Sequence, residues 1–319
     1  MKKFIIQLSF FLIPILLFSF LADIFITKEL KKSHVFASGE GSVWNDIFNG
    51  KINSEIVIYG SSRAWVQIDP GKISDSLHTT VYNLGIDGHN FWLQYLRHRL
   101  LLEYNIRPKL IIYSLDIFTL EKRPDLYNPD QFLPYMLFNK EIEKATISYK
   151  GYSSLDYELP FIRYYGKKGA IFHSLKLFLK PKSDSNVRVK GYQGQDKSWN
   201  DDFDKAKDKI QYYSAKLDSP SIQLFEKFLQ ECKNKNIKII FVYTPEYIEG
   251  QKFIKNREEI MGLYSKLSKK YSIPFYDYSN DSISFQKKYF YNAEHLNKTG
   301  AELFTNMFIK KLEGKNVLQ

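Results

Sequence analysis

After Met1-Lys2-Lys3 the chain runs from Phe4 to Ala22, "FIIQLSFFLIPILLFSFLA", without a charged residue. A helix needs about 20 such residues to cross a bilayer, so the pattern predicts a membrane anchor or signal over residues 1–26. A cleaved signal ends in small residues at the third and first positions before the cut, whereas a cut after Ala22 would leave Phe20 at the third. An uncleaved anchor fits better. Lys2 and Lys3 on one side face Lys28, Lys31 and Lys32 on the other, so flanking charge does not orient it. Residues 27–50 read as a linker and lead-in.

Beyond the lead-in the hydropathy pattern changes to short apolar runs. "EIVIYG" (55–60), "TTVYNLG" (79–85), "KLIIYSL" (109–115), "IKIIFVYT" (237–244) and "IPFYDY" (273–278) are rich in β-branched and aromatic residues. They are nearly continuous in hydrophobicity, as strands covered on both faces are. Helical periodicity precedes the last three, over 90–105, around Cys232 and over 256–271. This alternation predicts an α/β fold with a doubly wound parallel five-stranded sheet, a flavodoxin-like three-layer sandwich. The domain would span 51–319. From 121 to 218 the alternation stops, and an interval of that length is better read as an inserted cap than as a structureless loop.

Composition supports a packed protein. Of 319 residues 16% are aromatic and only 25% charged, which excludes extended disorder over most of the length. The single cysteine, Cys232, excludes an intramolecular disulfide, and its spacing with Leu224, Phe225, Phe228 and Leu229 places it on the core face of a helix. The net charge of +11 is concentrated in one stretch: Arg163, Lys167, Lys168, Lys176, Lys180, Lys182, Arg188 and Lys190 stand against Asp184 alone. Anionic lipid headgroups, an acidic glycan and plain solvent all suit such a surface. No nucleic-acid motif accompanies it. The six histidines lack ligand spacing, so no metal or organic cofactor is implied.

Candidate chemistry gathers at strand ends. "YGSSRAW" puts Ser61 and Ser62 just past the first strand, where a turn can expose a hydroxyl to the crevice at the carboxyl edge of the sheet. Serine at that place is equally suited to capping the next helix. "NLGIDGHN" ends the second strand with Gly85 and Gly88, which permit close backbone approach or simply make the turn. "YNAEHLNKTGAELF" places His295 in a polar loop ahead of a helix, from which an imidazole can act as base toward a serine.

Taken in order, these three blocks resemble those of the SGNH or GDSL hydrolase superfamily, in a membrane-anchored bacterial envelope form. The resemblance implies Ser62 as nucleophile, His295 as general base, and backbone N–H groups of Gly88 and Ser62 as oxyanion donors. Two positions depart from it. The family has Gly-x-Asn-Asp after the central strand, where this chain has "YSLD"; Leu115 replaces the oxyanion Asn and only Asp116 matches, leaving Asn90 or a group from the inserted region as a substitute donor. The acid three residues before the histidine is Asn292, with Glu294 and Asp277 as neighbouring carboxylates. The resemblance further implies an esterase or O-acyltransferase working on acetyl or other acyl esters of an envelope glycan, outside the cytoplasm, with a membrane-bound acyltransferase as a partner. The competing expectation is a catalytically weakened glycan-binding or accessory protein of a polysaccharide acylation or export system.

Overall fold

The computed structural model describes residues 2–88, 90–180 and 188–314; His89, Lys182 and Asp184 lie outside the described residues. The chain divides into two compact units, one made of 1–45 and 124–187 and the other of 46–123 and 188–319.

In the second unit the five expected strands all form: β1 (Ile56–Tyr59), β2 (Val81–Asn83), β3 (Leu110–Leu115), β4 (Lys238–Tyr243) and β5 (Phe275–Asp277). All pair in parallel, in the order β2-β1-β3-β4-β5. Strand alternation sorts the side chains onto two faces. Ile56, Ile58, Leu110, Ile112, Ile240 and Val242 pack with Ala64, Ile73, Phe304, Phe308 and Leu312 from helices Ser62–Gln67, Pro70–Leu77 and Lys298–Glu313. The opposite face is aromatic. Tyr59, Tyr113 and Phe241 meet Phe91, Phe225 and Phe228 of helices Phe91–Tyr104 and Ser219–Asn234, with ring centroids 4.8–6.4 Å apart. Cys232 is fully buried in the latter helix. Helices on both faces make the unit a doubly wound α/β sandwich.

The strand order determines where a ligand can be met. After β1 the chain steps outward to β2 and then returns to the other side for β3, so the crevice at the carboxyl end of β1 is the topological switch point. Ser62 sits there.

The first unit is built on helix Lys2–Leu30, which continues four residues past the expected limit of 26. Its core holds Phe36, Trp44, Phe132, Leu133, Met136, Tyr157 and Tyr164. Trp44 donates to Gln131 Oε1 at 2.9 Å, so even its indole N–H is satisfied. The stretch expected as one insertion, 121–218, is therefore divided, with 124–187 in this unit and 188–218 in the α/β unit.

Candidate active site

β1 ends in Gly60, whose φ of +143° lies outside the range L side chains favour. A Cβ there would stand 2.7 Å from Ser114 O, so only glycine lets β1 turn out of the sheet beside β3. The two serines then divide their work. Ser61 is the N-cap of helix Ser62–Gln67, its side chain accepting from Arg63 N–H at 3.3 Å. Ser62, released from capping, has its Oγ 2.8 Å from His295 Nε2.

His295 is held from behind by Asn292. Asn292 Oδ1 accepts from His295 N–H at 2.9 Å and Glu294 N–H at 3.1 Å, and stands 3.0 Å from His295 Nδ1. Two backbone donors require an oxygen at that position, which fixes the amide orientation. The same oxygen then requires the proton of the imidazole on Nδ1. Nε2 is left as the acceptor facing the Ser62 hydroxyl. Burial, with Arg63 and Lys197 adding positive charge nearby, pushes His295 down to about 3, so the ring is neutral at any ordinary pH.

The loop after β2 lies against the serine turn. Leu84 N–H donates to Ile58 O at 2.7 Å and Ile86 N–H to Gly60 O at 3.0 Å. A Cβ on Gly85 would fall 2.7 Å from Trp65 N and 2.9 Å from Ser61 O, so this approach too depends on glycine. Asn83 fastens the arrangement, its Nδ2 donating to Ala64 O and Ile68 O at 2.8 and 2.9 Å and its Oδ1 accepting from Gly85 N–H. Gly88 follows in a turn with φ +67°. Ser62 N–H opens its helix and has no acceptor within it.

The side chains of the remaining candidates take no part in the hydrogen bonds from Ser62 through His295 to Asn292. Leu115 is a fully buried strand residue paired with Tyr243. Asp116, also buried, organises the turn after β3 by accepting from Phe118 N–H at 2.8 Å, and its Oδ2 has no partner among the described residues. Asn90 precedes helix Phe91–Tyr104 without capping it, and both polar atoms of its buried carboxamide lack partners among the described residues. Asp277 accepts from Ser279 N–H and Oγ. Glu294 lines a cavity of about 360 Å³ together with Phe118, Phe203, Phe253, Glu246 and Asp202. Burial, and after it the Glu246 carboxylate, pushes Glu294 up to about 7. Among the described residues no group of three or more His, Cys, Asp and Glu side chains is disposed to hold a metal ion.

Several residues of the site were not singled out by sequence. Arg63 is buried beneath the helix, donating to Thr244 O at 2.6 Å and lying 4.5 Å from the Tyr243 ring centroid. Tyr243, Glu246 and Asp116 hold it charged against the effect of burial. Gln67 Nε2 donates to Glu294 O at 3.0 Å and so ties the serine helix to the histidine loop. Tyr291 stacks on the imidazole at 5.3 Å and 13°. The segment 193–200 straps the two together, with Gln193 N–H on Trp65 O, Lys298 N–H on Gln195 O and Asn200 N–H on Tyr291 O. An arginine directly after the serines was the one visible signal.

No family model and no curated protein matches the chain. Among solved structures it is similar to a proposed acylhydrolase from Bacteroides fragilis, at 13% identity over 83% of this chain and 88% of that one, with a TM-score of 0.37. It is also similar to a GDSL-like lipase from Bacteroides thetaiotaomicron, at 12% identity over 80% and 87%, with a TM-score of 0.34.

Proposed function

We propose that this chain is a membrane-anchored serine esterase or O-acyltransferase of the SGNH type, facing the periplasm or cell exterior and acting on acyl esters, acetyl foremost, of an envelope glycan. The observation that carries the reading is the continuous relay from Ser62 Oγ through His295 to Asn292, at 2.8 and 3.0 Å. Ser62 Oγ attacks the ester carbonyl carbon while His295 Nε2 takes its proton. The C–O bond to the leaving alcohol breaks, and the alcohol leaves with that proton. Water or a sugar hydroxyl then gives its proton to His295 and takes the acyl group, and as the acyl–Oγ bond breaks His295 returns that proton to Ser62 Oγ. The N–H groups of Ser62 and Gly88 would face the oxyanion. A membrane-bound acyltransferase that hands on acyl groups is the partner such a transfer calls for.

The anchor reading is supported by Asp23, which directly follows the apolar run and forms a buried ion pair with Arg163 at 2.7 Å. A cut after Ala22 would make Asp23 the new amino terminus of a shortened helix and set a free ammonium group beside the Arg163 guanidinium.

Leu115 and Asn292 favour a second reading, an accessory protein that binds acylated glycan without turning it over. Leu115 supplies no oxyanion donor, and the amide of Asn292 carries no charge to stabilise an imidazolium. Fluorophosphonate labelling of the full-length chain in detergent, read by intact mass, separates the two. Labelling lost in Ser62→Ala and in His295→Ala is expected of the enzyme; an unlabelled folded protein would leave only the binding role.

A further inference from the structure

Helix Lys2–Leu30 is uncovered through its apolar stretch and is buried only at Asp23, Ile26, Glu29 and Leu30. Within the same unit Asp23 is clamped. Arg163 meets it through both terminal nitrogens, at 2.7 and 2.9 Å, and Phe161 N–H donates to it at 2.7 Å. One turn on, Thr27 Oγ1 shares a hydrogen bond with Tyr164 Oη at 2.7 Å. The chain around Leu159–Tyr164 is thus pinned where the helix stops being apolar.

A second helix, Lys168–Leu179, runs alongside in the opposite direction. Phe178 meets Phe25 at 5.4 Å between ring centroids, and His173 Nε2 lies 2.8 Å from Ser33 Oγ. Its carboxyl end therefore points back toward the apolar run. With a rise of 1.5 Å per residue, Phe25 is only about 5 Å along the helix axis from Ala22. Ala170, Ser174 and Leu177 are buried on one face. Phe178 and Leu179 are 58% and 73% exposed, and Leu159 and Ile162 are 43% and 39% exposed. Large apolar side chains gathered in this way on a surface mark a contact. Lys176 and Lys180 are exposed among them.

We propose that this unit rests on the bilayer through a collar around Asp23. Phe178, Leu179, Leu159 and Ile162 sink into the interfacial layer, while Lys176 and Lys180 extend their stems along it and set their ammonium groups among anionic headgroups. Lipid is the occupant because the patch continues the apolar surface of a helix whose own exposed side chains need lipid, and because the surrounding charge has the sign that anionic headgroups attract. The proposal rests on Lys2–Leu30 being a retained anchor.

The test uses the full-length chain with Cys232→Ala, reconstituted in vesicles of phosphatidylcholine and phosphatidylglycerol. A nitroxide is placed at Leu179→Cys in one sample and at Leu16→Cys in another. Collision with oxygen and with a water-soluble nickel chelate is then compared with that of free label in buffer. The collar predicts an oxygen-to-nickel ratio at position 179 raised severalfold above free label and below that at position 16. Aqueous behaviour at 179 together with a bilayer value at 16 overturns the collar and leaves the anchor standing. Low collision with both reagents at 179 means that protein, such as a second copy, covers the patch, and overturns it as well. Aqueous behaviour at 16 removes the anchor and the collar together.

Discussion

Replacing Asn292 with aspartate would put a negative charge behind His295 without changing the shape of the site. Asn292 Oδ1 already takes all three N–H groups at 2.9–3.1 Å, and its Nδ2 has no hydrogen-bond partner among the described residues, so no contact is lost. An opposite charge at this range raises a histidine pKa by about 1–3 units, which would move His295 from about 3 to about 4–6. Each unit is about 1.4 kcal/mol in favour of the imidazolium that forms as Ser62 loses its proton. An upper limit comes from Coulomb's law, about 4 kcal/mol at 4 Å with an effective dielectric of 20. The two estimates together predict a gain of roughly 10- to 1,000-fold in the rate of acylation. In serine proteases the reverse change lowers turnover by about 10⁴, so a gain of this order is within known limits. The assay is the second-order rate constant for fluorophosphonate labelling of wild type and Asn292→Asp in parallel, with melting temperature as a check on folding. An aspartate variant that labels no faster at an unchanged melting temperature would refute the view that the missing charge limits His295.

The two serines should separate cleanly. Ser62→Ala should keep the fold and lose labelling, whereas Ser61→Ala should keep labelling and lose about 0.5–2 kcal/mol of stability by urea denaturation. Gly85→Ala drives a methyl group into Trp65 N and Ser61 O and should cost about 1–3 kcal/mol in the same assay. His98, buried with Nδ1 on Tyr59 Oη at 2.9 Å, is held down at about 3 by burial and by Arg99 and Lys235. The unfolded chain therefore takes up that proton first, so stability is whole above about pH 6.5 and declines as pH falls toward 3, more gently in His98→Gln. Glu294 has the opposite sign: raised to about 7, it contributes stability below about pH 4.3 that is lost as pH rises through 7, and Glu294→Gln should flatten that slope.

The sheet was legible because each strand is covered on both faces and must be apolar throughout. "LIIYSL" and "KIIFVY" contain few polar residues to obscure the pattern, and the observed strands fall within the expected runs. The Ser62, His295 and Asn292 positions stood out through the spacing of three short blocks. What joins them was not legible. The strap 193–200 uses main-chain N–H and C=O groups, which carry no side-chain signature, so its membership in the α/β unit was hidden inside a polar stretch. The Asp23–Arg163 pair joins residues 140 positions apart, and nothing local in either segment marks the other. Arg63 reads as a surface residue by composition; only its neighbours Tyr243, Glu246 and Asp116, all remote in sequence, make a buried guanidinium tolerable.

The relay between Ser62 and His295 also bears on how the protein is made. The two residues are 233 positions apart, and at 5–20 residues per second roughly 10–50 s of synthesis separates them. The Ser62 hydroxyl is thus made long before the imidazole that it meets in the folded chain. On the function proposed above, the nascent protein is therefore not acylated at Ser62 until the histidine loop has been made.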